Sequence, residues 1–237
     1  MKVLGIIPSR YASNRLPGKP LIDILGTSMI QRVYEQCLKC ETLDDLIVAT
    51  DDIRILNHVN AFNGNAIMTS TSHHSGTERC NEVINKIENQ YDIIVNIQGD
   101  EPYIHPEQID HVISLFDSNE IKITTLAKKI TNPNVLEDYN IVKAILNDDG
   151  IAQDFCRILT EKDLNSTCYK HIGIYAYRSY ILNEICKLKP SKNEQKNSLE
   201  QLRWLDNMFD IKVGITTYDS MSVDTADDIK KIKSYFG

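Results

Sequence analysis

The sequence predicts an α/β protein with a mostly parallel, mixed sheet and helices on both faces of that sheet. Short, almost continuously apolar segments alternate with longer segments whose apolar residues recur at helical spacing. Continuously apolar strands are typical of a parallel sheet that is buried on both faces. The length of 237 residues suits one domain of this class, so we expect a single domain over residues 1–237.

Residues 1–120 contain the clearest alternation of strands and helices. Short apolar runs that end in a turn or a polar residue predict strands at 3–8, 46–50, 66–69 and 92–98. Apolar residues spaced three or four apart predict helices at 29–40, 53–62, 77–88 and 106–116. A repeated strand–helix unit of this kind predicts that neighbouring strands run parallel.

The rest of the chain predicts a more mixed arrangement. Strands are predicted at 121–130, 140–148, 171–178 and 211–218, and helices at 179–188, 198–209 and 225–236. Thr225 is a candidate N-cap for the last helix, because Asp227 and Asp228 follow it in the first turn, where acidic side chains are favourable. The polar segment 190–198 is predicted to be a loop.

Composition excludes several classes of protein. The formal net charge of −7 argues against a nucleic-acid partner, which usually requires a basic face. No apolar run approaches 18 residues, so we expect no membrane span, and the first residues lack the pattern of a signal peptide. We therefore expect a cytoplasmic protein with reduced cysteines. The pair Cys37-x-x-Cys40 admits a zinc or redox interpretation, but no second pair at zinc-finger spacing exists, so structural thiols are favoured.

A loop rich in cations follows the first predicted strand. Arg10, Arg15 and Lys19 fall within ten residues, and Gly18 allows the backbone to approach a ligand closely. Ligands of open α/β sheets bind outside the carboxyl ends of the strands, and backbone amides with cations there can bind phosphates. The loop matches neither the P-loop nor the dinucleotide-binding pattern. It predicts a triphosphate site, and a solvated basic loop is the alternative.

Two aspartates are candidate metal ligands. Asp100 and Asp224 are each expected just after an apolar strand, and carboxylates above a phosphate site are ligands that Mg²⁺ prefers. A role for either residue in a turn or a helix cap is the alternative. No nucleophile and base occur at a recognisable spacing. This suits nucleotidyl transfer, in which positioning and charge neutralisation supply most of the catalysis.

Several sequence blocks, in order, resemble those of one family. They run from residue 3 to about residue 235, and they are IIPSRYASNRLPGKPL (6–21), IVATDD (47–52), HHSGTER (73–79), VNIQGDEP (95–102), HIGIYAYR (171–178), LEQLR (199–203) and SVDTADD (222–228). The chain thereby resembles the 3-deoxy-manno-octulosonate cytidylyltransferases, also called CMP-KDO synthetases. A series of blocks in a fixed order is far more specific than any one of them.

The resemblance implies a fold, a reaction and a set of site residues. The fold would be the three-layer α/β sandwich of nucleotidyltransferases, with a nucleotide-binding half (1–120), a sugar-binding and dimer region (121–221), and a metal aspartate with a closing helix (222–237). The reaction would join CMP from CTP to 3-deoxy-D-manno-octulosonate (KDO) and release pyrophosphate, for lipopolysaccharide biosynthesis, in a Mg²⁺-dependent homodimer. By resemblance, the nucleotide-binding residues would be Arg10, Ser13, Arg15, Lys19, Ser75, Gly76 and Thr77; the metal ligands Asp100 and Asp224; the sugar-binding residues Gln98, Arg157, His171, Tyr175, Glu200 and Gln201; and the catalytic residues Arg10, Lys19 and Asp100.

One segment departs from the family pattern. Family members usually carry Phe-Ser-Arg and then a longer loop that contains proline, whereas this chain reads FCRILTEKDLNSTCYKH over 155–171. Because this segment would border the sugar, 8-amino-3,8-dideoxy-octulosonate and other sugar acids such as nonulosonates remain alternative acceptors. A nucleotide-binding regulatory protein without catalysis is a further alternative, although Lys19, Asp100 and Asp224 are all present.

Overall fold

The computed structural model describes residues 1–12, 16–159, 168–219 and 221–236 of the chain. Strands lie at Val3–Ser9 (β1), Asp23–Ile24 (β2), Thr27–Ser28 (β3), Asp45–Thr50 (β4), Ala66–Met68 (β5), Ile93–Asn96 (β6), Ile123–Lys129 (β7), Lys143–Leu146 (β8), Ala152–Cys156 (β9), Cys168–Arg178 (β10) and Ile211–Thr216 (β11). Helices lie at Met29–Cys37 (α1), Ile53–Ala61 (α2), Gly76–Lys86 (α3), Pro106–Ser114 (α4), Asn134–Glu137 (α5), Ser179–Ile185 (α6), Lys192–Asn197 (α7), Gln201–Asp206 (α8) and Ala226–Phe236 (α9). The chain divides into two compact units, residues 1–110 with 220–237, and residues 111–219.

The first unit contains a parallel sheet with the strand order β6–β1–β4–β5. The side chains of Leu4, Ile6 and Ile7 on β1 are fully buried, which explains why this strand is a continuous apolar run. The chain proceeds from β1 through β4 to β5 and then returns to β6 on the other side of β1. Right-handed crossovers therefore put α1 and α2 on one face of this sheet and α3 on the other.

The return to β6 creates a topological switch point between β1 and β6. In open α/β sheets the crevice at the carboxyl ends of such a strand pair is the usual ligand site. β1 ends at Ser9 and β6 ends at Asn96, so the loops that begin at Arg10 and Ile97 both start at this edge. The fold of the first unit therefore predicts a ligand site between these two loops.

The second unit contains a mixed sheet with the strand order β11–β7–β10–β8–β9. β7 and β11 are parallel, whereas the β7–β10, β10–β8 and β8–β9 pairs are antiparallel. Trp204 of α8 is buried against β10, with ring centroids 5.2 Å from Tyr175 and 5.6 Å from Tyr177. These aromatic side chains form part of the core of the second unit.

The predicted α/β class, with a mostly parallel but mixed sheet, is confirmed. The predicted elements have ends that differ from the observed ends by at most three residues, as expected when boundaries are read from periodicity. Within the described ranges, no helix combines the length and apolar character that crossing a membrane would need.

The prediction of a loop over 190–198 is wrong, because the structure has helix α7 in this segment. Ser191 and Glu194 form a capping box, in which each side chain accepts a hydrogen bond from the other residue's backbone N–H at 3.1 Å. Arg203 also donates from Nε to the Glu194 carboxylate at 2.7 Å. The S-x-x-E pattern that marks this helix start was present in the sequence, but the segment lacks the apolar face by which helices are usually recognised.

The expected position of Asp224 at a strand end is also wrong. Strand β11 ends at Thr216, and the described residues 221–224 belong to no strand. This segment is held instead by the Val223 N–H, which donates to the Asp100 carbonyl at 2.9 Å, and by burial of the Val223 side chain. Asp224 is therefore placed by a contact between loops, which the local sequence does not encode.

Candidate active site

The largest concentration of predicted site residues lines a pocket of about 260 Å³ in the first unit. The pocket lies where the loops after β1 and β6 begin, at the switch point described above. It is lined by Pro8, Ser9, Arg10, Lys19, Pro20, His73, His74, Ser75, Gly76, Arg79, Gln98, Gly99, Asp100 and Asp224. Its side chains combine cations and carboxylates, which suits a polyanionic ligand and a metal ion together.

Lys19 joins the two candidate metal ligands in this pocket. Its Nζ lies 2.7 Å from Asp100 Oδ2 and 3.2 Å from Asp224 Oδ1. The Lys19 side chain is 13% exposed, whereas the two carboxylates are 32% and 35% exposed. Residues separated by more than 200 positions in the chain thus meet in one ion-pair cluster, in which the two carboxylates are more exposed than the ammonium.

The backbone around both carboxylates is well supported. Gly99 packs so closely that an added Cβ would lie 2.8 Å from the Pro8 carbonyl oxygen, so the loop carrying Asp100 is pressed against the end of β1. On the other side, the Asp224 N–H donates to Asp228 Oδ2 at 3.2 Å. Thr225 Oγ1 in turn accepts from the Asp228 N–H at 3.3 Å, which confirms Thr225 as the cap of α9.

The carboxylate pair fits a divalent cation. An oxygen of each carboxylate lies within 3.2 Å of the same ammonium nitrogen, so one small cation can contact both. Mg²⁺ is commonly held by one or two carboxylates, with water and substrate oxygens completing its octahedron. Within the described parts of the chain, no group of three or more His, Cys, Asp or Glu side chains could hold a metal ion.

The amino terminus of α3 forms another wall of the pocket. Ser75 is the N-cap of this helix, and its Oγ accepts from the Glu78 N–H at 3.2 Å. Gly76 begins the helix, and Thr77 is buried behind it. Unpaired N–H groups and the helix dipole make such a terminus favourable for anions. The sequence Ser75-Gly76-Thr77 therefore provides backbone N–H groups that can bind an anion at this wall of the pocket.

His73 and His74 also line the pocket, although no role was predicted for them from the sequence. The His73 ring contacts Glu82 through Nε2 and lies 3.8 Å from Glu78 Oε2 through Nδ1. Burial raises the pKa of Glu82, but hydrogen bonds from Lys86, the Ser70 amide and His73 outweigh it and lower this pKa to about 2. These carboxylates fix the turn that leads into Ser75.

Arg79 is a further pocket residue that sequence reasoning missed. It is 3% exposed, and its Nη2 donates to Asp51 Oδ2 at 2.9 Å. Its Nη1 donates to the Ser70 carbonyl at 3.2 Å. A signal existed in the sequence, since Asp51 directly follows an apolar strand and a buried arginine needs such a partner. The pair links the end of β4 to α3.

Ser9 is a third unexpected feature of the pocket. Its side chain is buried, and within the described residues its Oγ has no hydrogen-bond partner. A buried polar atom without a partner is costly, so such atoms commonly mark the position of a ligand or water. Ser9 Oγ is therefore available to a molecule bound in the pocket.

The predicted sugar-binding residues are divided between the two units. Gln98 lines the pocket of the first unit, whereas Arg157, His171, Tyr175, Glu200 and Gln201 belong to the second. Arg157 donates to the backbone carbonyls of Asn197, Tyr139 and Ser198 at 3.0, 3.3 and 3.4 Å. Ser13 and Arg15, and the part of the divergent segment at 160–167, lie outside the described residues.

Within the second unit, His171 and Tyr175 lie side by side on β10, with ring centroids 5.4 Å apart. Burial lowers the pKa of His171 to about 3, so its imidazole is neutral at physiological pH. His171 Nε2 lies 3.0 Å from Thr125 Oγ1. Burial raises the pKa of Tyr175, and the nearby Glu200 carboxylate raises it further. Both rings are therefore uncharged hydrogen-bonding groups.

The fold and the pocket define a class of nucleotide-binding α/β proteins, and comparison with known proteins narrows it. The model of the cytidylyltransferase family matches residues 4–212. The 3-deoxy-manno-octulosonate cytidylyltransferase of Parabacteroides distasonis is 48% identical over 99% of this chain and 98% of its own length. The corresponding protein of Bacteroides thetaiotaomicron is 46% identical over 99% and 98%.

A solved structure shows the same likeness in three dimensions. The structure of CMP:2-keto-3-deoxy-manno-octonic acid synthetase in complex with CTP superposes with a TM-score of 0.92 at 38% identity, covering 99% of this chain and 98% of that one. The chain therefore belongs to the 3-deoxy-manno-octulosonate cytidylyltransferase family.

Proposed function

We propose that this chain transfers CMP from CTP to the anomeric hydroxyl of 3-deoxy-D-manno-octulosonate, giving CMP-KDO and pyrophosphate for lipopolysaccharide biosynthesis. The observation that carries the proposal is the meeting of Lys19 with Asp100 and Asp224 in one pocket of a member of this family. Cations and carboxylates fixed at a nucleotide site are what nucleotidyl transfer requires, because positioning and charge neutralisation dominate its catalysis.

The triphosphate binds between the loop after β1 and the amino terminus of α3. Arg10 and Lys19 supply charge-assisted hydrogen bonds to phosphate oxygens, and the resemblance adds Ser13 and Arg15 to this loop. The first turn of α3 supplies backbone N–H groups to the α-phosphate, next to the ribose. Ser75, Gly76 and Thr77 are proposed to contact the cytosine and ribose side of the nucleotide. The lining of the pocket by Arg10, Lys19, Ser75 and Gly76 supports this arrangement.

In the reaction, the anomeric hydroxyl oxygen forms a bond to the α-phosphorus of CTP. The bond from that phosphorus to the bridging oxygen of the β-phosphate breaks, pyrophosphate leaves with the electron pair, and the hydroxyl proton passes to solvent. Arg10 and Lys19 stabilise the charge that develops on the transferred and leaving groups. Asp100 and Asp224 would hold Mg²⁺, which when bound neutralises phosphate charge and increases the acidity of the attacking hydroxyl.

The identity of the sugar acid is the most specific part of the proposal. The relatives described above are named for the octulosonate, which favours it over its 8-amino analogue and over nonulosonates. Arg157 has a planar guanidinium, which suits the substrate carboxylate. To bind that carboxylate, Arg157 would give up its present hydrogen bonds to backbone carbonyls. The proposed sugar-binding residues are Gln98, Arg157, His171, Tyr175, Glu200 and Gln201.

We also propose that the chain acts as a homodimer in the cytoplasm. The homodimer rests on the family resemblance, and the cytoplasmic location agrees with the six free cysteines, all of which lie within the described residues. Light scattering after size-exclusion chromatography measures the mass directly. A mass of one chain of 27.0 kDa at micromolar concentration would contradict the dimer.

Pyrophosphate release tests the function. The wild-type chain is incubated with Mg²⁺, CTP and either KDO or its 8-amino analogue, with the other nucleoside triphosphates and N-acetylneuraminate as controls. We expect release that requires CTP and KDO together. The variant Lys19→Ala should lose use of the triphosphate while keeping preference for cytosine, since its ammonium contacts no base-binding residue in the pocket.

The outcomes separate the alternatives. Release with the 8-amino analogue but not with KDO would transfer the proposal to that acceptor. CTP binding without release for any sugar acid would favour the nucleotide-binding regulatory protein. If Lys19→Ala accepted UTP as readily as CTP, the assignment of the loop to phosphate would be wrong.

A further inference from the structure

The first helix after β4 carries an arginine that is fixed at the helix start. Asp52 is the N-cap of α2, and its Oδ1 accepts from the Arg54 N–H at 2.9 Å and from Arg54 Nε at 2.8 Å. Its Oδ2 accepts from Arg54 Nη2 at 2.6 Å. The bidentate ion pair and the backbone hydrogen bond together hold the guanidinium in one orientation, although more than half of the Arg54 side chain is exposed.

The oriented guanidinium stacks on Tyr11 of the loop after β1. Arg54 Cζ lies 3.4 Å from the centroid of the Tyr11 ring, well within the range of a cation–π contact. Arginine favours such stacking because its guanidinium is planar and weakly hydrated. The contact therefore joins a rigid helix of the first unit to a loop that contains the proposed triphosphate-binding residues.

Tyr11 in turn supports the end of the same loop. Its carbonyl accepts from the Gly18 N–H at 3.0 Å, which joins Tyr11 to the residue that precedes Lys19. Its ring lies so close to Gly18 that an added Cβ would be 3.1 Å from both Tyr11 Cζ and Oη. Gly18 also has a φ of 68°, which favours glycine. The next residue is Lys19, whose Nζ reaches Asp100 and Asp224.

We propose that Arg54 is a positioning residue for CTP binding, which acts through Tyr11 and Gly18 on the placement of Lys19. Arg54 is not among the residues that line the pocket, so we assign it an indirect role. Its contribution is to fix Tyr11, Gly18 and Lys19 in place before CTP arrives, which lowers the entropy cost of binding. The inference deepens the proposed function and rests on it for the identity of the nucleotide.

The expected signature is a change in CTP affinity without a change in turnover. Arg54→Met should weaken CTP binding and raise the KM for CTP roughly two- to fivefold, the range expected for an exposed cation–π contact. The kcat at saturating CTP and the KM for KDO should stay at wild-type values. Arg54→Lys keeps a cation and should recover part of the loss, and Tyr11→Phe keeps the ring and should resemble wild type.

A matched control is available in the same unit. Lys2 Nζ lies 4.5 Å from the centroid of the Tyr91 ring, at the amino end of β1 and away from the loop. Lys2→Met therefore removes an exposed cation–π contact of similar kind, and it should change neither the Kd nor the KM for CTP. A double-mutant cycle with Arg54→Met and Tyr11→Leu should show that their effects are not additive, because both remove the same contact.

The Kd for CTP is measured by calorimetry without any sugar acid, and kcat and KM are measured by pyrophosphate release. If CTP binds but no sugar acid reacts, the proposed function fails, while the ratio of Kd values still tests Arg54. Equal Kd values for wild type and Arg54→Met would overturn the inference. A fall in kcat equal to the loss of affinity, or additive effects of the two loop substitutions, would overturn it as well.

Discussion

Replacing Lys19 by methionine tests whether its ammonium and a metal ion compete for the same pair of carboxylates. The substitution keeps most of the length and the apolar stem of the side chain and removes only the charge and its hydrogen bonds. In the structure these bonds run at 2.7 Å to Asp100 and 3.2 Å to Asp224. Without the ammonium, the two carboxylates lose the cation that they share.

The magnitude follows from this geometry. Two carboxylates bridged by one nitrogen lie on the order of 5 Å apart, so they repel by roughly 1 kcal/mol in water and roughly 3 kcal/mol at an effective dielectric constant near 20. Because each carboxylate is about a third exposed, screening favours the lower part of this range. We expect Lys19→Met to lower the free energy of unfolding by about 1–2 kcal/mol, or the Tm by about 2–8 °C.

The same substitution should increase the affinity for metal in the absence of nucleotide. A cation that enters the wild-type site must displace or share the ammonium, whereas in Lys19→Met it meets two carboxylates that have lost the ammonium they shared. The free energy above corresponds to roughly 5–30-fold tighter binding. Mn²⁺ titration by calorimetry measures the affinity, and thermal unfolding in EDTA and in Mg²⁺ measures the stability. Lys230→Met, at an exposed ion pair on α9, is the control.

The result that would refute this reasoning is clear. If Lys19→Met unfolded at the wild-type temperature in EDTA and bound Mn²⁺ no more tightly, the ammonium would not be compensating the carboxylates. If Mg²⁺ stabilised wild type more than the variant, Lys19 would assist metal binding instead of competing with it. Neither measurement depends on turnover, so the test is independent of the sugar acid.

Three further predictions address other parts of the molecule. Asp100→Asn should lower kcat in the pyrophosphate assay by at least ~10²-fold with the fold intact by circular dichroism, and near-normal turnover would remove it from the metal site. His171 has a pKa of about 3 in the folded state, below its unfolded value of 6.5, so the folded state binds fewer protons than the unfolded state. The free energy of unfolding should therefore be highest above pH 6.5 and should decrease as the pH drops from 6.5 towards 3. Urea unfolding should show His171→Gln losing this slope, and an unchanged slope would contradict its source. Arg203→Met leaves the Glu194 carboxylate, 13% exposed, without its bidentate partner and should cost about 3 kcal/mol in urea unfolding, whereas a loss under 1 kcal/mol would contradict the pairing.

Much of the first unit could be predicted because its signals are local. The strands at 3–8 and 46–50 are continuous apolar runs, since both faces of their sheet are covered, and they are observed at Val3–Ser9 and Asp45–Thr50. The placement of a cationic loop after the first strand follows from the rule that ligands bind at the carboxyl ends. Lys19 and Arg10 indeed line the pocket.

Helix α7 was not predicted from the sequence, and the reason is physical. None of its residues is buried, so it has no apolar face from which a period could be read. Its stability comes from its capping box and from the ion pair of Glu194 with Arg203. The first of these is a local pattern that could have been recognised, and the second is a tertiary contact.

The sequence by itself determined the fold class, the family and the residue types that a nucleotide site needs, because these depend on periodicity and on short motifs. Only the tertiary structure decided which of those residues meet. Asp224 reaches Lys19 because the Val223 N–H bonds to the Asp100 carbonyl and its side chain packs with Ile24, Met29 and Ile232. The stacking of Arg54 on Tyr11 likewise joins residues that no local pattern connects. Contacts of this kind depend on how loops pack against one another, and their free energy is not written in the spacing of neighbouring residues.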